Sequence, residues 1–221
     1  MKTPLCSYVY HALSKQYELR EINIGSDARL NKGMLHFSVQ CFDIADVGHL
    51  CFLAMTGMLG LMKMETVVLA CTEKDVPLLN LDYVLAMGKK TQIVELYDTQ
   101  IASDAKSIVK GFEAIKEKDR DLPDYFGGGR AYSSPLMPCS YAKKTKAKET
   151  RPDQSCQKLF DIFLKALEQA PACDRSLKAE KNRAFAQSLL ENGGPAVNQV
   201  RRLFGDEIAA RLILNHMYGV K

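Results

Sequence analysis

The stretch "KDVPLLNLDYVLAMGKKTQIVELYD", from Lys74 to Asp98, holds two apolar runs separated by a short segment that contains glycine. "LLNLDYVLAM" (78–87) and "TQIVELYD" (91–98) have the length and the Val, Ile, Leu and Tyr content of β-strands. "MGKK" between them fits a hairpin connection. The stretch therefore predicts two neighbouring strands that pair antiparallel.

The same strand pattern extends towards the N-terminus. Short runs rich in β-branched and aromatic residues recur with little room for crossover helices, which predicts an antiparallel meander. They are "YELREINI" (17–24), "GMLHFSVQCFDI" (33–44), "HLCFLAMTG" (49–57) and "METVVLACT" (64–72).

The second half of the chain has helical periodicity. Amphipathic helices are predicted over 102–119, 153–170, 176–192 and 196–219, with Gly205 dividing the last of them. The lysine-rich segment 142–153 is predicted to be a solvated loop. Strands followed by helices indicate an α/β sandwich, which we expect to form a single domain over residues 1–221.

Composition narrows the class of protein. The chain has 47% hydrophobic and 25% charged residues, as is typical of a globular protein. A net charge of +4 is too small to predict nucleic-acid binding. Since no apolar run approaches ~20 residues and no signal peptide is evident, we expect no membrane partner and a cytoplasmic location, or a plastid for a eukaryotic source.

Cysteines and histidines give no metal-binding pattern. The seven cysteines contain no C-x-x-C pair, and none has zinc-ligand spacing with the four histidines. An odd count without a framework is typical of free thiols, and Cys41, Cys51 and Cys71 are expected to be small core residues. We therefore predict no metal site.

Asp82 is the candidate functional residue because it interrupts an apolar strand. Alternation along 78–87 places Asp82 on one face of the strand with Asn80 and Val84, and leucines on the other. This small and polar face is a candidate pocket floor. The alternative is a structural carboxylate near a sheet edge that is hydrated or bonded to Asn80 or Lys90.

Several motifs resemble the ferredoxin-dependent bilin reductase family. "DVPLLNLD" is similar to that family's D-x-P-[IL]-x-x-x-D run, and "RDLPDY" (120–125) to its R-[ED]-L-P-x-[WY] segment, which leads through "GGGRAYSSP" to an F-S-P stretch. "KLFDIFLKAL" and the ending "QVRRLFGDEIAARLILNHMYGV" also fit. The resemblance covers roughly 37–100, 119–138 and 155–221.

The resemblance implies a three-layer α/β/α sandwich in which a central antiparallel sheet is flanked by helices, with a biliverdin-type bilin between the sheet and the C-terminal helices. Asp82 matches the aspartate that donates a proton while ferredoxin, or a similar acidic carrier, supplies single electrons. Arg120 and Thr91 match residues that hold the bilin propionates. No flavin or other bound cofactor is implied.

The chain departs from the family at two places. Members that form phycocyanobilin carry a histidine on an upstream strand, and Glu65 falls near its position here. Gly193, Gly194 and Pro195 stand where the family has a second acid. Three functions therefore stay open: an oxidoreductase, a non-catalytic tetrapyrrole carrier or sensor, and a protein-interaction domain.

Overall fold

The computed structural model describes residues 4–125, 135–193 and 195–220. Its strands alternate along the chain with a few helices and short 3₁₀ turns, and helices dominate the second half. The strands are β1 (Leu19–Ile22), β2 (Arg29–Lys32), β3 (Leu35–Ile44), β4 (Gly48–Gly57), β5 (Met62–Cys71), β6 (Leu78–Ala86), β7 (Lys89–Tyr97) and β8 (Tyr141–Lys146). The helices are α1 (Pro4–Ser14), α2 (Lys106–Lys118), α3 (Arg151–Gln169), α4 (Arg175–Asn192), α5 (Pro195–Phe204), α6 (Asp206–Ala210) and a π-helix (Arg211–Met217).

All eight strands form one antiparallel sheet. Its order is β1-β3-β4-β5-β6-β7-β8, and β2 pairs with β3 beside β1. The strands from β3 to β7 follow one another as a meander, as the spacing of the sequence predicts. The β6–β7 hairpin turns over Met87 and Gly88, which fixes its register so that Asp82 lies opposite Ile93.

Helices cover both faces of the sheet. The first face packs against α1, α2 and α3 through a core that includes Leu79, Leu81 and Phe160. The second face packs against α4, α5, α6 and the π-helix through a core that includes Val68 and Phe185. This is the predicted α/β/α arrangement, with the sheet as the middle layer.

The structure differs from the local predictions at four places. Residues 141–146 are the edge strand β8 rather than a solvated loop, because Tyr141, Lys143 and Thr145 alternate inward and are buried. Lys143 is satisfied there by the Leu122 carbonyl and by Asp124. Strand β2 and helix α1 were not predicted, and α2 begins at Lys106 rather than near residue 102.

All seven cysteines are free, and six of them are buried. Cys41 and Cys51 face each other across β3 and β4, and Cys71 ends β5 in the core. Their predicted role as small core residues is confirmed. Among the described helices, none combines the length and the apolar character needed to cross a membrane.

Candidate functional site

Asp82 lies in the middle of β6 on the second face of the sheet, where its side chain is half-buried. Thr66 on β5 lies directly opposite and donates its hydroxyl to Asp82 Oδ1 at 2.5 Å. Asn80 donates its amide Nδ2 to Asp82 Oδ2 at 2.8 Å. The predicted split of β6 into a leucine face and a face with Asn80 and Asp82 is confirmed, since Leu79 and Leu81 belong to the opposite core.

The environment of Asp82 favours its protonated form. Desolvation by burial is the largest cause, and it raises the pKa of Asp82 to about 6. The charge of Glu95 raises the pKa further, while the hydrogen bonds from Thr66 and Asn80 lower it. A carboxyl group with such a pKa can carry a proton near neutral pH and release it to a bound molecule.

Asn80 can serve both protonation states of Asp82. Its side chain is buried, and its Oδ1 has no hydrogen-bond partner among the described residues. If the amide turns over, Oδ1 faces Asp82 and accepts a hydrogen bond from the O–H of the neutral carboxylic acid. Asp82 can therefore gain or lose a proton and still be hydrogen-bonded to Asn80.

The neighbouring strands extend this face into a site with an open side. Ile93 on β7 lies opposite Asp82 and Ala142 on β8 lies opposite Ile93, and both are half-buried. Thr91 lies one pair further along the same face, with its side chain buried, and its partner on β8 is the exposed Lys144. A carboxyl group, a hydroxyl and an ammonium group therefore line one partly exposed surface.

Glu95 is a site residue that the sequence interpretation did not find. It lies on β7 opposite Asn80, it is buried, and the Tyr97 hydroxyl donates to it at 2.7 Å. Tyr97 stacks in turn on Phe185 of α4 with ring centroids 4.2 Å apart. The two-residue turn after Ala86 sets the register that places Glu95 opposite Asn80. The "MG" of this turn is therefore the sequence feature from which the position of Glu95 can be predicted.

Arg120 is exposed at the end of a helix of the first-face layer. It follows the C-terminus of α2, and its side chain is 78% exposed and pairs with Glu117 at 2.6 Å. Among the predicted site residues, the structure thus brings Thr91 close to Asp82 and leaves Arg120 on the surface. The role of Arg120 in holding a propionate stays a prediction.

The structure also places the two positions at which the sequence departs from the bilin reductases. Glu65 lies opposite Tyr83, faces the first layer and accepts from the Cys6 backbone N–H at 3.4 Å, so it points away from Asp82. Gly193 ends α4 with a φ of 72°. The glycine cluster "FGGGR" (126–130) is predicted to form a loop over the pocket. This cluster and most of "GGGRAYSSP" lie outside the described residues.

Three of the four histidines have hydrogen-bond partners, and His36 contacts Asn31 Oδ1 at 2.8 Å. His49 contacts the carbonyl of His216 at 2.7 Å, and His216 contacts Asp27 at 2.8 Å. Within the described ranges, no cluster of three metal-ligating side chains occurs. Two surface grooves of about 400 and 310 Å³ lie near the start of α2 and beside β1, and neither is lined by Asp82.

Comparison with solved structures identifies the fold. Phytochromobilin synthase from tomato, solved in complex with biliverdin, superposes with a TM-score of 0.76 and 13% sequence identity, over 97% of this chain and 82% of that chain. The sequence matches no protein-family model and no curated protein. At this identity the likeness establishes a shared α/β fold, and it confirms the predicted fold class.

Proposed function

We propose that this protein binds an open-chain tetrapyrrole on the second face of its sheet and reduces it, with Asp82 as proton donor. The observation that carries the proposal is a partly exposed carboxyl group whose pKa is raised to about 6, set on the middle of the sheet. The fold shared with a biliverdin-bound bilin synthase supports this choice of ligand.

The polarity of the surface suits a bilin. Val84, Ile93 and Ala142 offer half-buried apolar contacts for the pyrrole rings beside Asp82. Thr91 and Lys144 lie together along the same face, where a hydroxyl and an ammonium group can bind a propionate. Lys144 also lies 5.6 Å from the ring centre of Tyr125. We infer that Lys144 supplies a charge for the propionate, in addition to the predicted Arg120.

Bilin reduction adds two electrons and two protons to one conjugated system, so a one-electron carrier must act twice. We infer that ferredoxin or a similar acidic carrier supplies the electrons from outside, as the resemblance to the ferredoxin-dependent bilin reductases implies. Asp82 gives one of the two protons and solvent gives the other, and Asp82 recovers its proton from solvent after the reduced bilin has left. Covering the site with a bilin excludes water and raises the pKa of Asp82 further, which favours the acid form before transfer.

A pair of isosteric variants tests the role of Asp82. With biliverdin, ferredoxin and a reducing system, we expect the wild type to shift the bilin absorbance spectrum. Asp82→Asn should bind biliverdin but reduce it roughly 100-fold or more slowly, because a general acid contributes about that factor. The amide can accept from Thr66 and donate to Asn80 Oδ1, so the variant should fold.

Glu65→Gln is the matched control, because Glu65 is a carboxylate on the neighbouring strand that faces the opposite layer. Its rate of bilin reduction should stay within about twofold of the wild type. Reduction at an unchanged rate in Asp82→Asn would contradict the assignment of the proton donor. Equal losses in both variants would indicate a structural effect instead.

A non-catalytic carrier or sensor is the second candidate function. It is favoured by Glu65 facing away from Asp82 and by glycines and a proline at 193–195 where the bilin reductases have an acid. A carrier would bind biliverdin with a saturable spectral change and leave its oxidation state unchanged in the presence of reduced ferredoxin. The same assay therefore separates the two functions.

A further inference from the structure

One end of the sheet exposes a group of large apolar side chains. The turns β2–β3, β4–β5 and β6–β7 all lie at this end, because His36 pairs with Thr56 and Met62 with Ala86. Five of the seven exposed large apolar side chains of the described residues belong to these turns. They form what we call the tip surface: Met34 (64% exposed), Met58 (50%), Leu59 (96%), Leu61 (69%) and Met87 (90%).

Three of these residues have a backbone conformation that their side chains disfavour. Met58, Leu59 and Met87 have φ angles of 50°, 56° and 50°, in the left-handed region where Gly, Asn and Asp are preferred. Met87 precedes Gly88 in a two-residue hairpin turn, where Asn-Gly is the favoured pair. The sequence therefore keeps apolar side chains at turn positions where polar residues would stabilise the fold more.

Lysines surround the tip surface. Lys89 and Lys146 pair across β7 and β8 at this end, and Lys63 pairs with Thr56 beside the β4–β5 turn. Lys32 ends β2, and Lys148 lies in the loop that bonds to Gly88 through the Ala147 N–H. All five lysines are exposed.

Little negative charge offsets these lysines. Glu149, the acidic residue of the loop after β8, is already engaged by Arg151. The lysine side chains have no acidic partner among the described residues. The tip surface therefore combines protruding apolar groups with a ring of free positive charge.

We propose that the tip surface docks onto an anionic lipid bilayer, with the apolar turn residues entering the interface and the lysines binding lipid phosphates. Apolar side chains next to Lys on an adjoining polar surface are the arrangement by which proteins bind the membrane interface. Protein interfaces are enriched in aromatic residues, Met and Arg and depleted in Lys. The tip surface has three Met, but it has no aromatic residue or Arg and is surrounded by lysines, which favours a lipid surface over a protein. Docking at the membrane surface needs no membrane-spanning segment. It therefore differs from the membrane partner that the sequence argues against, since that expectation rests on the lack of a long apolar run.

Vesicle co-sedimentation of the ligand-free protein tests this proposal. We expect binding to phosphatidylcholine vesicles that contain roughly a third phosphatidylserine, weaker binding without phosphatidylserine, and loss of binding as salt is raised. Leu59→Asn with Met87→Asn should lower the partition coefficient at least about tenfold, since two apolar side chains no longer enter the interface. Lys89→Gln with Lys146→Gln should lower it about fivefold for each lysine.

Two single variants show whether a loss of vesicle binding comes from misfolding or from removing any exposed apolar side chain. Asn before Gly88 suits the hairpin turn, so Met87→Asn should raise the melting temperature while weakening vesicle binding. Leu177→Asn removes an exposed leucine (51%) on α4, away from the tip surface, and should leave vesicle binding unchanged.

Failure to bind phosphatidylserine vesicles, or binding that the tip variants leave unchanged, would overturn the proposal. A change in oligomeric state in the tip variants, without vesicle binding, would also overturn it and would indicate contact with a second copy of the chain. Because no bilin is present, these results do not depend on the proposed function.

Discussion

At the scale of single residues, the central feature is a carboxyl group placed where its charge is disfavoured. Asp82 has two hydrogen-bond donors, Thr66 and Asn80, and burial still raises its pKa above the ordinary value. The hydrogen bonds therefore do not compensate fully for the lost hydration. A fold that needed only stability would gain by placing a neutral residue at this position.

This leads to a prediction on pH and stability. The pKa of Asp82 is about 6 in the folded protein and 3.8 in its ordinary state, so between these pH values the folded state binds more protons than the unfolded state. The contribution of Asp82 to the free energy of unfolding should therefore fall as pH rises through this window, by about 1–3 kcal/mol.

Urea denaturation of the wild type and of Asp82→Asn at several pH values measures this contribution. The other acidic residues are the same in both proteins, so their contributions cancel in the difference between the two free energies of unfolding. Asp82→Asn should be the more stable of the two at pH 7, and the gap should close below about pH 4. The same gap at every pH would show that Asp82 is an ordinary surface carboxylate.

At the scale of elements, α4 connects the fold to the site. Its Lys178 is fully buried and donates to the carbonyls of Val76 and Thr99 at 2.5 and 2.8 Å, with Asp75 at 3.5 Å. The carboxylate of Asp75 in turn accepts three backbone N–H groups of the loop after β7. This anchors α4, which places Phe185 against Tyr97 and so orients the hydroxyl that bonds Glu95.

Lys178→Met should therefore lower the free energy of unfolding by about 3–5 kcal/mol, because it leaves Asp75 without its cation and two buried carbonyls without a donor. Lys165→Met, at an exposed position of α3, is the matched control and should change stability by less than about 0.5 kcal/mol. Thermal or urea denaturation measures both. Similar stabilities of the two variants would contradict the role given to the buried lysine.

At the scale of the whole molecule, the sequence predicts the features that depend on local periodicity. The meander, the faces of β6 and the amphipathic helices follow from alternation and helical spacing, and Asp82 follows from its position in an apolar run. Strand β8 was missed because lysines obscure its alternation, and only long-range contacts such as Lys143 with Asp124 explain how they are buried.

The part of the candidate site that the sequence predicts is the part set by a local hairpin. Thr91 lies near Asp82 because a short hairpin fixes their register, and the same register brings in Glu95. The positions of Arg120 and Lys144 relative to Asp82 could not be predicted from a hairpin register. They depend on how the chain between α2 and β8 packs against the sheet. Local pattern places residues on a strand face but does not place separate segments relative to each other.

A biliverdin titration followed by visible absorbance is the most direct test of tetrapyrrole binding by this protein. We predict a saturable change in the bilin spectrum. The affinity for biliverdin should be about tenfold lower in Lys144→Glu, because the introduced carboxylate would repel a propionate. Lys165→Glu, on the opposite layer, should bind as the wild type does. Absence of a spectral change at saturating biliverdin would contradict tetrapyrrole binding, and with it both the reductase and the carrier functions.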